Sequence, residues 1–123
     1  MLRFVLLSFV LTLSAQCFTH TAAAATDITG DYSIIGSTTD GDGEYTGSLS
    51  ISRKGEVYKL TWTTGNGKFT GTGLITKGVL SAVWHQADDI GVSSFIIEEG
   101  KLVGTWAFLK SDGKRYKEVA TKK

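Results

Sequence analysis

Apolar and polar residues alternate along most of the chain after residue 27. A period of two is typical of β-strands whose two faces differ in polarity. No stretch of this region keeps a 3.6-residue apolar stripe over three turns, so no long amphipathic helix is predicted. The pattern predicts eight strands of about seven to ten residues, whose apolar faces open at Ile28, Tyr45, Tyr58, Phe69, Leu80, Phe95, Leu102 and Tyr116.

Short turn sequences separate these runs. Most pair glycine with Asp, Asn, Lys or Glu, and glycine tolerates the positive φ that two-residue hairpin turns require. Because every link is short, strands adjacent in sequence are expected to be antiparallel neighbours. The predicted turns lie at 40–43, 54–55, 65–67, 77–78, 87–89, 99–100 and 112–113.

Eight consecutive antiparallel strands favour closure into an up-and-down barrel, because closure removes the exposed edges of an open sheet. A twisted open sheet is the alternative. Glycines on the apolar faces support closure, since they let strands curl or make room for a large aromatic neighbour. These inward glycines are Gly30, Gly47, Gly71, Gly73 and Gly104.

Residues 1–25 are typical of a cleaved signal peptide. Arg3 precedes an apolar run from Phe4 to Ala15, and small residues at 21–25 match the pattern that signal peptidase recognises. The run is shorter than the ~20 residues of a membrane-spanning helix. Cys17 leaves lipoprotein processing as an alternative. We therefore expect export to the periplasm or outside the cell, with residues 26–123 forming one β-barrel domain.

Composition narrows the function further. The only cysteine lies in the signal region, so the exported chain is expected to have no disulfide and no thiol nucleophile. Without Arg3, twelve basic residues balance twelve acidic ones. A chain with no net charge has no global field that attracts nucleic acid or anionic membranes. Neither nucleic-acid binding nor a transmembrane span is predicted.

The stretch TTDGDGEYTG at 38–47 has the density of acids seen in calcium loops. An EF-hand needs Gly at position 6 and a bidentate Glu at position 12. Starting at Asp40 puts Tyr45 and Ile51 at those positions, and starting at Thr38 puts Leu49 at position 12. Both registers fail, so we predict no metal site except a weak calcium option, formed by Asp40, Asp42 and Glu44.

Residues for catalysis are sparse. The exported chain has one histidine, His85, and alternation places it outward if its neighbour Trp84 faces inward. One histidine cannot build a multi-histidine zinc site. The nearby serines have no nucleophile-elbow context. We therefore predict no enzymatic activity, no catalytic residue and no cofactor.

Aromatic residues are abundant on the inward faces. They could fill the core, because an eight-stranded barrel is only wide enough for side chains or one small ligand. They could instead line a pocket for a small, partly apolar ligand. If the lumen is hollow, the candidate ligand-binding residues are Tyr32, Tyr58, Trp62, Trp84 and Trp106.

The segment DGEYTGSLSISRKGEVYKLTW, followed by GTGLITKGVLSAVW and GVSSFIIEEGKLVGTWAF, resembles small exported bacterial β-barrel proteins, some of which are labelled fibronectin-binding. More distantly, ITGDYSIIGS and the eight-strand meander look like an avidin- or lipocalin-like barrel. Streptavidin-type proteins place an asparagine in the first strand, whereas this strand offers Ser33, so the resemblance does not extend to biotin.

The sequence therefore predicts an exported, disulfide-free antiparallel barrel that binds a partner without chemistry. The first hypothesis is a protein-interaction module that is host-matrix-binding or inhibitor-like, with an extracellular or envelope protein as partner. The alternative is a carrier of a small, partly apolar ligand in a tryptophan-lined lumen.

Overall fold

The computed structural model describes residues 26–39 and 42–123, which form eight strands. The proposed signal peptide, with Cys17, lies outside the described residues. Within them, no helix is long and apolar enough to cross a membrane. The strands are β1 (Gly30–Ser37), β2 (Glu44–Lys54), β3 (Val57–Thr64), β4 (Gly67–Thr76), β5 (Val79–Gln86), β6 (Asp89–Glu98), β7 (Lys101–Phe108) and β8 (Tyr116–Lys122).

Each strand pairs with its sequence neighbours in antiparallel register, and β1 also pairs with β8. This last pairing runs from Tyr32 opposite Lys122 to Gly36 opposite Glu118. It closes the sheet, so no strand edge is left open. The predicted up-and-down barrel is confirmed, and the open sheet is excluded.

One end of the barrel, the closed end, is filled. It carries the β2–β3, β4–β5 and β6–β7 turns, and the segment before β1 packs Ile28 into the core. The Tyr32 hydroxyl donates a hydrogen bond of 2.8 Å to the Ile28 carbonyl, which ties this segment to β1. Fully buried side chains occupy the lumen beside it, namely Ile34, Leu49, Leu60, Leu80, Phe95 and Leu102.

The outer face is less polar than strict alternation implies. Strands β2 and β3 present Ser and Thr outward, but seven exposed aliphatic side chains lie on the other strands. They are Ile35, Leu74, Val83, Ile90, Val92, Ile96 and Val119. The inward assignment still holds, because the positions facing the lumen are the ones with low exposure.

Inward glycines let neighbouring rings and backbones approach closely. Gly104 lies opposite Phe95 on one side and Glu118 on the other. A Cβ built on Gly104 would overlap the Ser94 carbonyl oxygen and press on the Phe95 ring. The predicted role of glycine in shaping the lumen is thus confirmed at this position.

Replacing Gly104 with alanine is expected to lower the free energy of unfolding by about 1–3 kcal/mol, because the new methyl overpacks against backbone that cannot move cheaply. Gly65→Ala is the matched control, since nothing lies within 4 Å of its Cβ position. That variant should stay within about 0.5 kcal/mol of the parent. Equal urea midpoints for both variants would contradict this account.

Candidate ligand site in the barrel lumen

The opposite end of the barrel, the mouth, opens into a cavity of about 430 Å³. The β1–β2, β3–β4 and β5–β6 connections place polar side chains around its entrance, and the strands supply aromatic walls. The lining residues are Thr38, Thr39, Tyr45, Trp62, Thr64, Asn66, Phe69, Trp84, Gln86, Ser93, Trp106, Phe108 and Glu118. The lumen is therefore filled in one half and hollow in the other.

The structure divides the five predicted ligand-binding residues between these halves. Trp62, Trp84 and Trp106 line the cavity, whereas Tyr32 and Tyr58 do not. Tyr58 precedes Trp62 by four residues on β3, which is about 13 Å along a strand, and Tyr32 is fixed at the closed end by its bond to Ile28. Sharing a face predicts an inward direction but not a depth, so the two tyrosines are corrected to core residues.

A buried carboxylate lines the cavity. Glu118 is only 5 % exposed. Its Oε1 accepts a hydrogen bond of 3.0 Å from the Trp62 indole N–H, and its Oε2 accepts one from the Tyr45 hydroxyl. A buried charge is tolerated only when hydrogen bonds replace lost water, and these two donors provide that replacement.

Gly36 makes the bond between Tyr45 and Glu118 reachable. In the sheet register Gly36 lies opposite Tyr45 on one side and opposite Glu118 on the other. The Tyr45 ring lies over Gly36, so close that a Cβ at that position would overlap the ring and its hydroxyl. The strand between donor and acceptor thus lacks a side chain where one would block the contact.

Burial raises the pKa of Glu118, while the hydrogen bonds from Tyr45 and Trp62 oppose that rise. Burial also raises the pKa of Tyr45, and the adjacent Glu118 charge raises it further. Tyr45 therefore keeps its proton at physiological pH and acts as the donor. The pair can hold a carboxylate in a fixed orientation inside an aromatic cavity.

Four aromatic side chains and this carboxylate form a closed ring of contacts. Ring centroids are 6.2 Å apart for Tyr45 and Trp106, 5.9 Å for Trp106 and Trp84, and 6.2 Å for Trp84 and Trp62. Glu118 links the two ends by accepting from Trp62 and Tyr45. We call these five residues, Tyr45, Trp62, Trp84, Trp106 and Glu118, the lumen ring.

The indole N–H groups of the lumen ring differ in their partners. The Trp84 indole N–H donates a hydrogen bond of 2.9 Å to the Ser93 hydroxyl. The Trp84 ring lies over Gly91, where a Cβ would overlap it. The Trp106 N–H is buried and makes no hydrogen bond of acceptable geometry with the described residues. The Trp106 side chain does lie close to the Tyr45 hydroxyl, and this contact slightly opposes the rise in the pKa of Tyr45.

The remaining sequence candidates lie outside the lumen. His85 is exposed on the outer face, as predicted, with Nε2 3.4 Å from the Thr70 hydroxyl. Ser33 also faces outward. Asp42 and Glu44 are exposed, and no three potential metal ligands cluster within residues 26–39 and 42–123. Asp40 lies outside the described residues, so the weak calcium option stays a prediction.

Comparisons with protein-family models and with curated protein sequences gave no match. Among solved structures, the barrel is similar to fatty-acid-binding protein 1 of Echinococcus granulosus, with a TM-score of 0.52 and 10 % sequence identity. The match covers 77 % of this chain and 96 % of that protein. At this identity the likeness establishes a shared barrel fold.

Stability is expected to depend on pH through Glu118. Because the folded-state pKa is raised, the contribution of this residue is complete below about pH 4.5, its ordinary value, and is lost as pH rises through the raised pKa. In Glu118→Gln this dependence should disappear. Urea unfolding of both proteins at a series of pH values measures the difference.

The matched control for losing one carboxylate is Glu98→Gln, at an exposed position at the end of β6. Subtracting its pH profile isolates the effect of burial at residue 118. If the parent and Glu118→Gln lose stability in parallel as pH rises, the carboxylate is not buried as described.

Proposed function

We propose that this protein binds a small, largely apolar ligand in the mouth half of its lumen and acts as a binding protein without catalysis. The observation that carries this proposal is the cavity of about 430 Å³ with three tryptophans in its wall. Ligand pockets in proteins are typically concave, mostly apolar and about 300–1,000 Å³, with a few placed polar groups. The cavity and Glu118 match that description.

The structural neighbour gives weaker support in the same direction. It is named as a fatty-acid-binding protein, and it shares the barrel architecture. Of the two hypotheses drawn from the sequence, the small-ligand carrier is the one that the cavity supports. Binding to a host-matrix or envelope protein stays a prediction, as does export directed by residues 1–25.

A matched pair of substitutions on β3 tests lumen binding. Thr64 lines the cavity, whereas Thr63 is exposed on the outer face of the same strand. Thr64→Phe should block the mouth and reduce ligand affinity by about tenfold or more, which corresponds to ~1.4 kcal/mol. Thr63→Phe adds the same ring outside the barrel and should leave affinity unchanged.

Binding is measured by tryptophan emission and calorimetry with neutral, cationic and anionic aromatic and aliphatic ligands. All three tryptophans of the chain lie in the lumen ring, so a ligand in the cavity should change the emission. The proposal fails if no ligand changes emission or heat, or if Thr64→Phe binds as well as Thr63→Phe.

A further inference from the structure

The charge of the lining restricts which ligands the cavity can accept. Among the described residues that line it, Glu118 is the only acidic side chain and none is Lys, Arg or His. Recognition of a carboxylate or phosphate normally uses Arg, Lys or clustered backbone N–H groups. An anionic ligand would instead meet the carboxylate of Glu118, whose side chain is itself buried. The cavity therefore disfavours anions.

The aromatic members of the lumen ring favour the opposite charge. The faces of aromatic rings carry negative potential, and cations within about 6 Å of a ring centroid are stabilised by it, most strongly over Trp. Three indoles and one phenol line this cavity as neighbours. An aromatic enclosure is a common way of binding quaternary ammonium groups.

Glu118 keeps its negative charge for such a ligand. Its two hydrogen-bond donors, the Tyr45 hydroxyl and the Trp62 indole N–H, are both neutral. Those two bonds fix the carboxylate without neutralising its charge. An ammonium group in the cavity would supply the missing countercharge, which a neutral ligand cannot do.

We infer that the ligand of this site is an organic cation, whose ammonium group is held within the lumen ring by the Glu118 carboxylate and the surrounding aromatic rings. This inference rests on the proposed function, because it requires that the lumen binds a ligand. It goes beyond the structural neighbour, whose name implies a fatty acid, since no basic side chain lines this cavity to receive an acid group.

The test uses three probes on the unmodified protein. Phenyltrimethylammonium carries the cation, tert-butylbenzene is its neutral isostere with carbon in place of nitrogen, and octanoate represents the fatty acids. Calorimetry and tryptophan emission give the three affinities at one pH and ionic strength. We expect phenyltrimethylammonium to bind at least about tenfold more tightly than its isostere, because a cation–π contact in a desolvated site is worth about 2 kcal/mol, which exceeds the ~1.4 kcal/mol of a tenfold change.

The other rankings overturn the inference in distinguishable ways. If tert-butylbenzene binds as tightly as the cation, the site is a neutral apolar pocket, and the proposed lumen function stands alone. If octanoate binds most tightly, the site receives anions. If none of the three binds, nor any member of the wider panel, the proposed function fails together with the inference.

Glu118→Gln provides a second readout that keeps side-chain size. Affinity for phenyltrimethylammonium should fall by about tenfold, because the substitution removes the charge that attracts the cation, while affinity for tert-butylbenzene should change by less than about threefold. Glu98→Gln, on the exposed surface, controls for the loss of one negative charge. Equal losses for both probes in Glu118→Gln would overturn the role given to the carboxylate.

Discussion

The mouth half of this barrel depends on the pair of hydrogen bonds that Glu118 accepts from Tyr45 and Trp62. A carboxylate in an aromatic lumen is costly unless donors replace its hydration. The two donors come from β2 and β3, so the bonds tie three strands together across the lumen. Gly36 is required between them, because any side chain there would displace the Tyr45 ring.

This constraint separates the two halves of the barrel. In the closed half, aliphatic side chains and Phe95 pack against one another and are almost completely buried. In the mouth half, the Trp62 indole is oriented by its hydrogen bond to Glu118, and the Trp84 indole by its hydrogen bond to Ser93. A closed small barrel is just wide enough for one small ligand. The remaining space is a cavity whose described lining carries one acidic side chain, Glu118.

The sequence was sufficient to predict the eight strands, their turns and the inward direction of the three tryptophans. These features follow from local signals, namely period-two spacing and glycine-containing turns. The turn at Lys77 and Gly78, for example, has positive φ at both positions, as a two-residue hairpin of the predicted type requires.

The site could not be predicted in full, because its key residue contradicts the local polarity. Alternation from Tyr116, which opens the apolar face of the last strand, places Glu118 inward, whereas polarity alone would place Val119 inward and Glu118 outward. Pairing of β8 with β1 and β7 sets the first arrangement, and Val119 is exposed. Tyr32 and Tyr58 were assigned to the pocket for a related reason, since spacing gives the face of a strand but not the depth in a barrel.

The central claim is that Glu118 is a buried carboxylate poised for a cation, and its own titration tests this most directly. Carbon-13 detection of the Glu118 side-chain carboxyl, with and without saturating phenyltrimethylammonium, gives its pKa in both states. The account predicts a pKa above the ordinary carboxyl value of 4.5 in the free protein and a lower pKa with the cation bound. An ordinary pKa in the free protein, or one that the cation leaves unchanged, would contradict it.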